Sequence, residues 1–146
     1  MVDALRRARE MTRPDGCVID LHPTAERAGV LVGNTAAGVV SAGDAPERHQ
    51  AASDAIDTVV AGGLFVLQRG FEFDFSVYAD TIDELQEHIL EDWRNARIDD
   101  ETMARARMLL KAAPTIRPRV RERIRITHLR PTGSFNRSES GNTSTA

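Results

Sequence analysis

The chain has 146 residues, of which 41% are hydrophobic, 28% charged and 5% aromatic, and this composition fits one globular domain of ordinary size. It excludes collagen-like, coiled-coil and disulfide-scaffold proteins, and a net charge of −3 excludes a general attraction to nucleic acid or anionic lipid. No apolar run approaches the roughly 18 residues of a membrane-spanning helix, and the N-terminus is too polar for a secretory signal. We therefore expect a cytoplasmic protein that binds neither membranes nor nucleic acid.

The first elements are predicted to be a helix, a strand and a hairpin. The spacing of apolar residues predicts a short helix over residues 3–12, ended by Arg13-Pro14-Asp15-Gly16. The apolar run at residues 17–21 predicts a buried strand, with its cysteine, the single one in the chain, buried and inert. Small and β-branched residues on both sides of Gly33-Asn34 predict a hairpin over residues 28–41.

The middle of the chain predicts a capped helix followed by a long strand. An Asp and a Glu three residues apart form a capping box at residues 44–47, so a helix is predicted to begin there and to end at Gly62-Gly63. Alternating apolar and polar residues then predict a strand over residues 64–77, with a bulge at Gly70. Most of the aromatic residues lie in or just after this strand. We expect core packing to bury most of them, with a small apolar pocket under Trp93 as an open alternative.

The last third predicts two helices, a strand and a tail. A second capping box lies at residues 81–84, and an Asp at position 99 or 100 caps the following helix. Val and Ile alternate with Arg over residues 119–129, which predicts a strand. Residues 131–146 are rich in Gly, Ser, Thr and Asn, so we expect a disordered tail.

Three segments resemble, in order, the C-terminal half of class I S-adenosylmethionine-dependent methyltransferases. The turn Arg13-Pro14-Asp15-Gly16 and the strand ending Asp20-Leu21-His22-Pro23 resemble the family's passage into its fifth strand. The segment AGGLFVLQRGFEFDF at residues 61–75 resembles the passage into the sixth, and residues 119–129 the antiparallel seventh. The resemblance implies one α/β domain over residues 1–130, with a small mixed sheet and flanking helices, as a truncated Rossmann-like half-fold.

The features that hold the cofactor in that family are expected to be missing. They lie in its N-terminal half, and this sequence begins after the matching region. Gly62-Gly63 leaves a helix rather than opening one, which is the wrong polarity for binding charge at a helix N-terminus. We therefore expect no cofactor, no metal and no catalytic residue.

Three hypotheses for function follow. The first is a non-catalytic interaction or small-ligand-binding domain derived from a methyltransferase-like fold. The second is a methyltransferase whose cofactor half is missing from this chain or supplied by another chain. The third is a small stand-alone enzyme that uses the polar residues described next.

Six polar side chains are candidate ligand-binding residues. They are Asp20, His22, Glu72, Asp74, Arg121 and Arg123. The first two lie two residues apart at the end of a strand, so they point to the same side, at the sheet end where open α/β sheets bind ligands. The histidine can be a base or a ligand there, or simply a polar strand end.

The other four candidates lie on two predicted strands in which charged residues alternate with apolar ones. If the strand over residues 64–77 pairs with the strand over residues 119–129, acids face arginines, including Arg125. Such a row is a surface ladder of ion pairs or a cleft whose arginines hold a carboxylate or phosphate.

The strand at residues 17–21 is also the expected partner site. In the full family it lies beside a fourth strand that this chain does not encode, and an apolar open edge tends to pair with another chain. We expect a homodimer or a partner protein here, unless the hairpin over residues 28–41 covers the edge.

The first testable prediction is that the purified chain does not bind S-adenosylmethionine. The reason is that neither a Gly-rich turn after a strand nor an acid placed for the ribose is recognised in the sequence. Isothermal titration calorimetry measures this directly. Saturable binding in the micromolar range, which corresponds to about 8 kcal/mol, would contradict the prediction.

Overall fold

The computed structural model describes residues 1–133, which form four helices and six strands. In chain order these are α1 (Val2–Met11), β1 (Val18–Pro23), β2 (Gly29–Val32), β3 (Thr35–Ser41), α2 (Ala45–Ala61), β4 (Phe65–Tyr78), α3 (Ile82–Asp92), β5 (Arg97–Ile98), α4 (Asp100–Ala112) and β6 (Pro118–Pro131). Within these residues, no helix has the length and apolar character needed to cross a membrane. Residues 134–146 of the predicted tail lie outside the described part of the chain.

All strands are organised around β6. One edge of β6 pairs with β4 along its whole length, while its other edge pairs first with β2 and then with β1. β3 follows β2, and the short β5 follows β3. The α/β class is therefore confirmed. The predicted mixed sheet is wrong, because each strand pair is antiparallel and β6 separates β1 from β4, which run in the same direction.

Two apolar clusters lie on opposite faces of the sheet. One packs α3 and α4 against β2, β3 and β6 and contains Val120, and the other packs α1 and α2 against β4 and β6 and contains Leu129. These two β6 residues are an odd number of positions apart, so their side chains point to opposite faces. Each face is therefore covered by helices at one end only.

The helix caps match the sequence patterns in two of three cases. The capping box at residues 81–84 forms at the start of α3, and Asp99 caps α4 by accepting a hydrogen bond from an amide. Asp44 precedes α2 as predicted, but its carboxylate lies 3.3 Å from Nε of Arg48 and caps no amide. The predicted capping box with Glu47 is therefore wrong.

The run at residues 17–21 contributes most of β1, but it is not a buried strand. Ile19 and Leu21 are 54% and 58% exposed, and Cys17 is exposed as well. The reason is that α1 and α2 lie only on the other side of this part of the sheet. The hairpin over residues 28–41 forms as predicted, yet it pairs with β6 beyond the end of β1 and leaves the outer edge of β1 uncovered.

The long strand β4 forms as one element, with two corrections. Its register shift lies between Leu67 and Arg69 rather than at Gly70. The expected burial of most aromatic residues is also wrong, since Phe65 is fully buried but Phe71 is about half exposed. The strand alternates as predicted, but no helix packs on that side of it.

A glycine in β3 provides a test of the packing of α4. Gly38→Ala is expected to lower the free energy of unfolding by about 1–3 kcal/mol, because the added Cβ would overlap the buried side chain of Thr102. Gly70→Ala is the control, since the nearest atom to its added Cβ is 3.7 Å away. Urea unfolding of both variants measures the difference, and equal stabilities would contradict the close approach of β3 to α4.

Candidate functional site

The strand β1 has a polar face and an apolar face. Asp20 and His22 point toward α2, and both side chains are largely buried. Ile19 and Leu21 point to the opposite side and are exposed. The prediction that the two polar residues share one side of the strand is confirmed.

A chain of hydrogen bonds joins this polar face to α2. Nδ1 of His22 lies 2.6 Å from Oδ2 of Asp20, and Nε2 lies 3.0 Å from Oγ of Ser53. Because a carboxylate only accepts, Nδ1 donates to Asp20, and in the neutral imidazole Nε2 then accepts from the Ser53 hydroxyl. Sequence reasoning missed Ser53, since it is 31 residues from His22 and lies inside a helix without any local motif.

The order of Ser53, His22 and Asp20 is that of a nucleophile, a base and an orienting acid. The surroundings do not suit catalysis. Ser53 is only 8% exposed and lies in the middle of α2, where backbone amides are used within the helix and supply no oxyanion donors. The hydrogen bonds therefore hold β1 against α2.

The charged residues of β4 and β6 face one another across the pair. Arg123 lies 2.9 Å from Asp74 and 3.3 Å from Glu72, and each of these side chains is about 40% exposed. The hydrogen bond from Arg123 lowers the pKa of Asp74, and the two carboxylates raise the pKa of Arg123. Ion pairs this exposed contribute little to stability because water screens their charges, so this is a surface ladder.

The structure places all six candidate residues on one face of the sheet, but in separate groups. Three neighbouring positions across β1, β6 and β4 are occupied by His22, Arg125 and Glu72. The hydrogen-bonded group therefore lies beside the ladder on the same face. Arg121 lies opposite Ser76 and makes no ion pair among residues 1–133. The ladder is exposed to solvent whereas the hydrogen bonds of His22 are buried against α2, so the two groups do not form a single cleft.

The opposite side of the same strands carries an uncovered patch, which we call the apolar face. It consists of Ile19, Leu21, Phe71, Phe73, Phe75 and Ile126. Four of these side chains are more than half exposed. Each helix pair covers a different part of the sheet, and neither reaches this part.

A cavity of about 290 Å³ lies beside the segment that joins β1 to β2. Trp93 lines it, as does His49 from α2 and Glu122 from β6, together with Arg27 and Arg94. Burial raises the pKa of the Glu122 carboxyl. Burial also lowers the pKa of His49, although the hydrogen bond from its Nδ1 to the Thr24 carbonyl acts in the opposite direction. The sequence indicated only the pocket under Trp93, because the other lining residues come from four separate segments.

Comparisons with known proteins give no indication of function, which is therefore inferred from the geometry of the structure. No protein-family profile, curated protein or solved structure matches the chain. Within residues 1–133, no group of three or more His, Cys, Asp or Glu side chains is placed to hold a metal ion.

A structural role for the buried hydrogen bonds is testable by mutation. Ser53→Ala is expected to lower the free energy of unfolding by about 1–3 kcal/mol, because it leaves the buried Nε2 of His22 without a partner. Thr58→Ala, which removes an exposed hydroxyl from the same helix, is the control and should change stability less. Thermal and urea unfolding measure both variants. An unchanged stability of Ser53→Ala would show that the contact does not hold β1 to α2.

Proposed function

We propose that this protein is a non-catalytic interaction domain that self-associates through its apolar face. The observation that carries the proposal is that four side chains of β1 and β4, the two strands that flank β6, are each 51–58% exposed, namely Ile19, Leu21, Phe71 and Phe75. Monomeric soluble proteins rarely expose contiguous apolar patches of large area, and such patches mark interaction sites.

The energy available from this face fits a reversible complex. Full burial of an Ile, Leu or Phe side chain contributes about 1.5–3 kcal/mol, so the half-exposed side chains of two copies would contribute about 6–12 kcal/mol. Association costs an estimated 4–15 kcal/mol in lost freedom. The two ranges overlap, which favours a dimer that dissociates on dilution over a permanent one.

A second copy of the chain is the partner that suits this face best. One corner of the face carries Arg69, whose guanidinium lies 5.8 Å from the centre of the Phe71 ring. An antiparallel two-fold arrangement would place that corner over Phe75 of the other copy, where a second cation–π contact is possible. Isologous pairing is also the commonest closed symmetry.

Descent from a methyltransferase-like fold belongs to the same proposal. It is supported by the chain order of β1, α2, β4 and β6 and by an antiparallel β6, as the resemblance implies. The β2–β3 hairpin has no counterpart in the segments that carry the resemblance. Ser53 is buried, and the six candidate polar residues lie in separate groups. Neither enzymatic hypothesis therefore gains specific support.

Self-association is expected to depend on the apolar face. Sedimentation velocity at about 1–100 μM should show a concentration-dependent dimer, and Leu21→Lys and Phe71→Lys should each shift it to monomer. Leu90→Lys is the matched control, because Leu90 is 57% exposed on α3, outside the apolar face. Thermal unfolding of dilute samples verifies that each variant folds.

Two outcomes would contradict this arrangement. A wild-type monomer at the highest concentration would refute self-association. A dimer that is lost in Leu21→Lys but retained in Phe71→Lys would show pairing through the open edge of β1 instead of packing through the face. A spin label on the exposed, single Cys17 adds a measurement without mutation, since a specific dimer gives one defined distance between the two labels.

A further inference from the structure

The cavity beside Trp93 has a mixed lining, in which apolar side chains lie next to polar and charged ones. Its buried lining comes from small and branched residues such as Ala28, Val40 and Ala96. Three arginines, described next, also line it and are exposed to solvent. Concave sites that combine apolar side chains with charged or polar groups can bind small molecules through both.

The arginines differ in whether their charge is already balanced. Arg48 pairs with Asp44 at 3.3 Å, whereas Arg27 and Arg94 have no carboxylate within ion-pair distance among residues 1–133. The only carboxylates in the lining are Glu26, which is exposed, and the half-buried Glu122. Two guanidinium groups are thus available for an anion from solution.

The start of α2 contributes a partial positive charge, which the carboxylates of Asp44 and Glu47 at the same end reduce. Ala45 and Pro46, in its first turn, line the cavity, and no side chain caps this end of the 17-residue helix. Helix N-termini carry a partial positive charge that favours nearby anions.

The size and lining restrict the chemistry of the ligand. A volume of about 290 Å³ equals that of about ten molecules of liquid water. The indole of Trp93 and the alanines offer apolar contact that an inorganic anion cannot use. A doubly charged anion would also lie close to the Glu122 carboxyl.

We propose that this cavity binds a small organic monocarboxylate, with its carboxylate held by Arg27 and Arg94 and its apolar body packed against Trp93 and the buried alanines. The site does not require the dimer, since its lining residues belong to one copy, but it borders the apolar face, because Glu122 lies directly opposite Phe75.

The single tryptophan makes the proposal measurable in the unmodified chain. Titration with hexanoate should change Trp93 fluorescence saturably, with a dissociation constant of about 1 mM or tighter. Hexan-1-ol, hexylamine and inorganic phosphate at equal ionic strength should bind at least about tenfold more weakly, because each lacks either the negative charge or the apolar body. Amide NMR shifts should be confined to the segments around Ala28, Gly43 and Ala96.

Variants identify the groups that hold the anion. Arg27→Gln and Arg94→Gln should each weaken hexanoate binding about threefold to tenfold, whereas Arg97→Gln, three residues further on and outside the lining, should not. All three arginines are exposed, so the substitutions are expected to leave the fold intact.

Several results would overturn the proposal. These are a linear, unsaturated titration, equal affinity for hexan-1-ol, tighter binding of phosphate, or full hexanoate affinity in both Arg27→Gln and Arg94→Gln.

Discussion

The structure depends on a single strand that pairs along both of its edges. β6 extends over 14 residues and hydrogen-bonds to β4 on one side and to β2 and β1 on the other. No two of its neighbours pair directly with each other, so loss of register in β6 would separate the β2–β3 hairpin from β1 and from β4. Both apolar clusters also depend on β6, through Val120 on one face and Leu129 on the other.

This arrangement explains why two areas of the sheet remain open. The helix pair α1 and α2 covers one face near Leu129, and the pair α3 and α4 covers the other face near Val120. The uncovered area on the first face carries the ladder of Arg123, Glu72 and Asp74, whose charges are satisfied by one another and by water. The uncovered area on the second face carries mainly apolar side chains, so it gains free energy from contact with another protein surface.

Sequence patterns predicted the positions of helices and strands better than they predicted which side chains are buried. Period-two alternation located β4 and β6, and the turn at Gly33-Asn34 located the β2–β3 hairpin, because these signals are local. Burial is not local: Phe71 alternates with polar residues as a core residue would, yet no helix packs on it. The sequence patterns did not predict the strand β5, since a segment of two residues has no periodicity.

The candidate site also depends on contacts between distant segments, which the sequence does not predict. The shared side of Asp20 and His22 follows from strand geometry, but the third partner, Ser53, comes from a helix that only the tertiary fold brings near. The cavity likewise collects side chains from loops, a helix and β6, and no spacing in the sequence links Arg27 to Arg94. Sites assembled from distant segments leave no periodic signal, whereas sites on one strand do.

The helix α2 connects the features that matter for function. Its first turns line the cavity with Ala45, Pro46 and His49, and one turn after His49 it carries Ser53, which is hydrogen-bonded to β1. β1 in turn presents Ile19 and Leu21 on its other side. Pairing with β6 places β1 in the sheet, and the hydrogen bonds through His22 add a link from β1 to α2. Because a helix is rigid over two turns, this buried polar group connects the strand that carries part of the apolar face to the helix that forms part of the cavity wall.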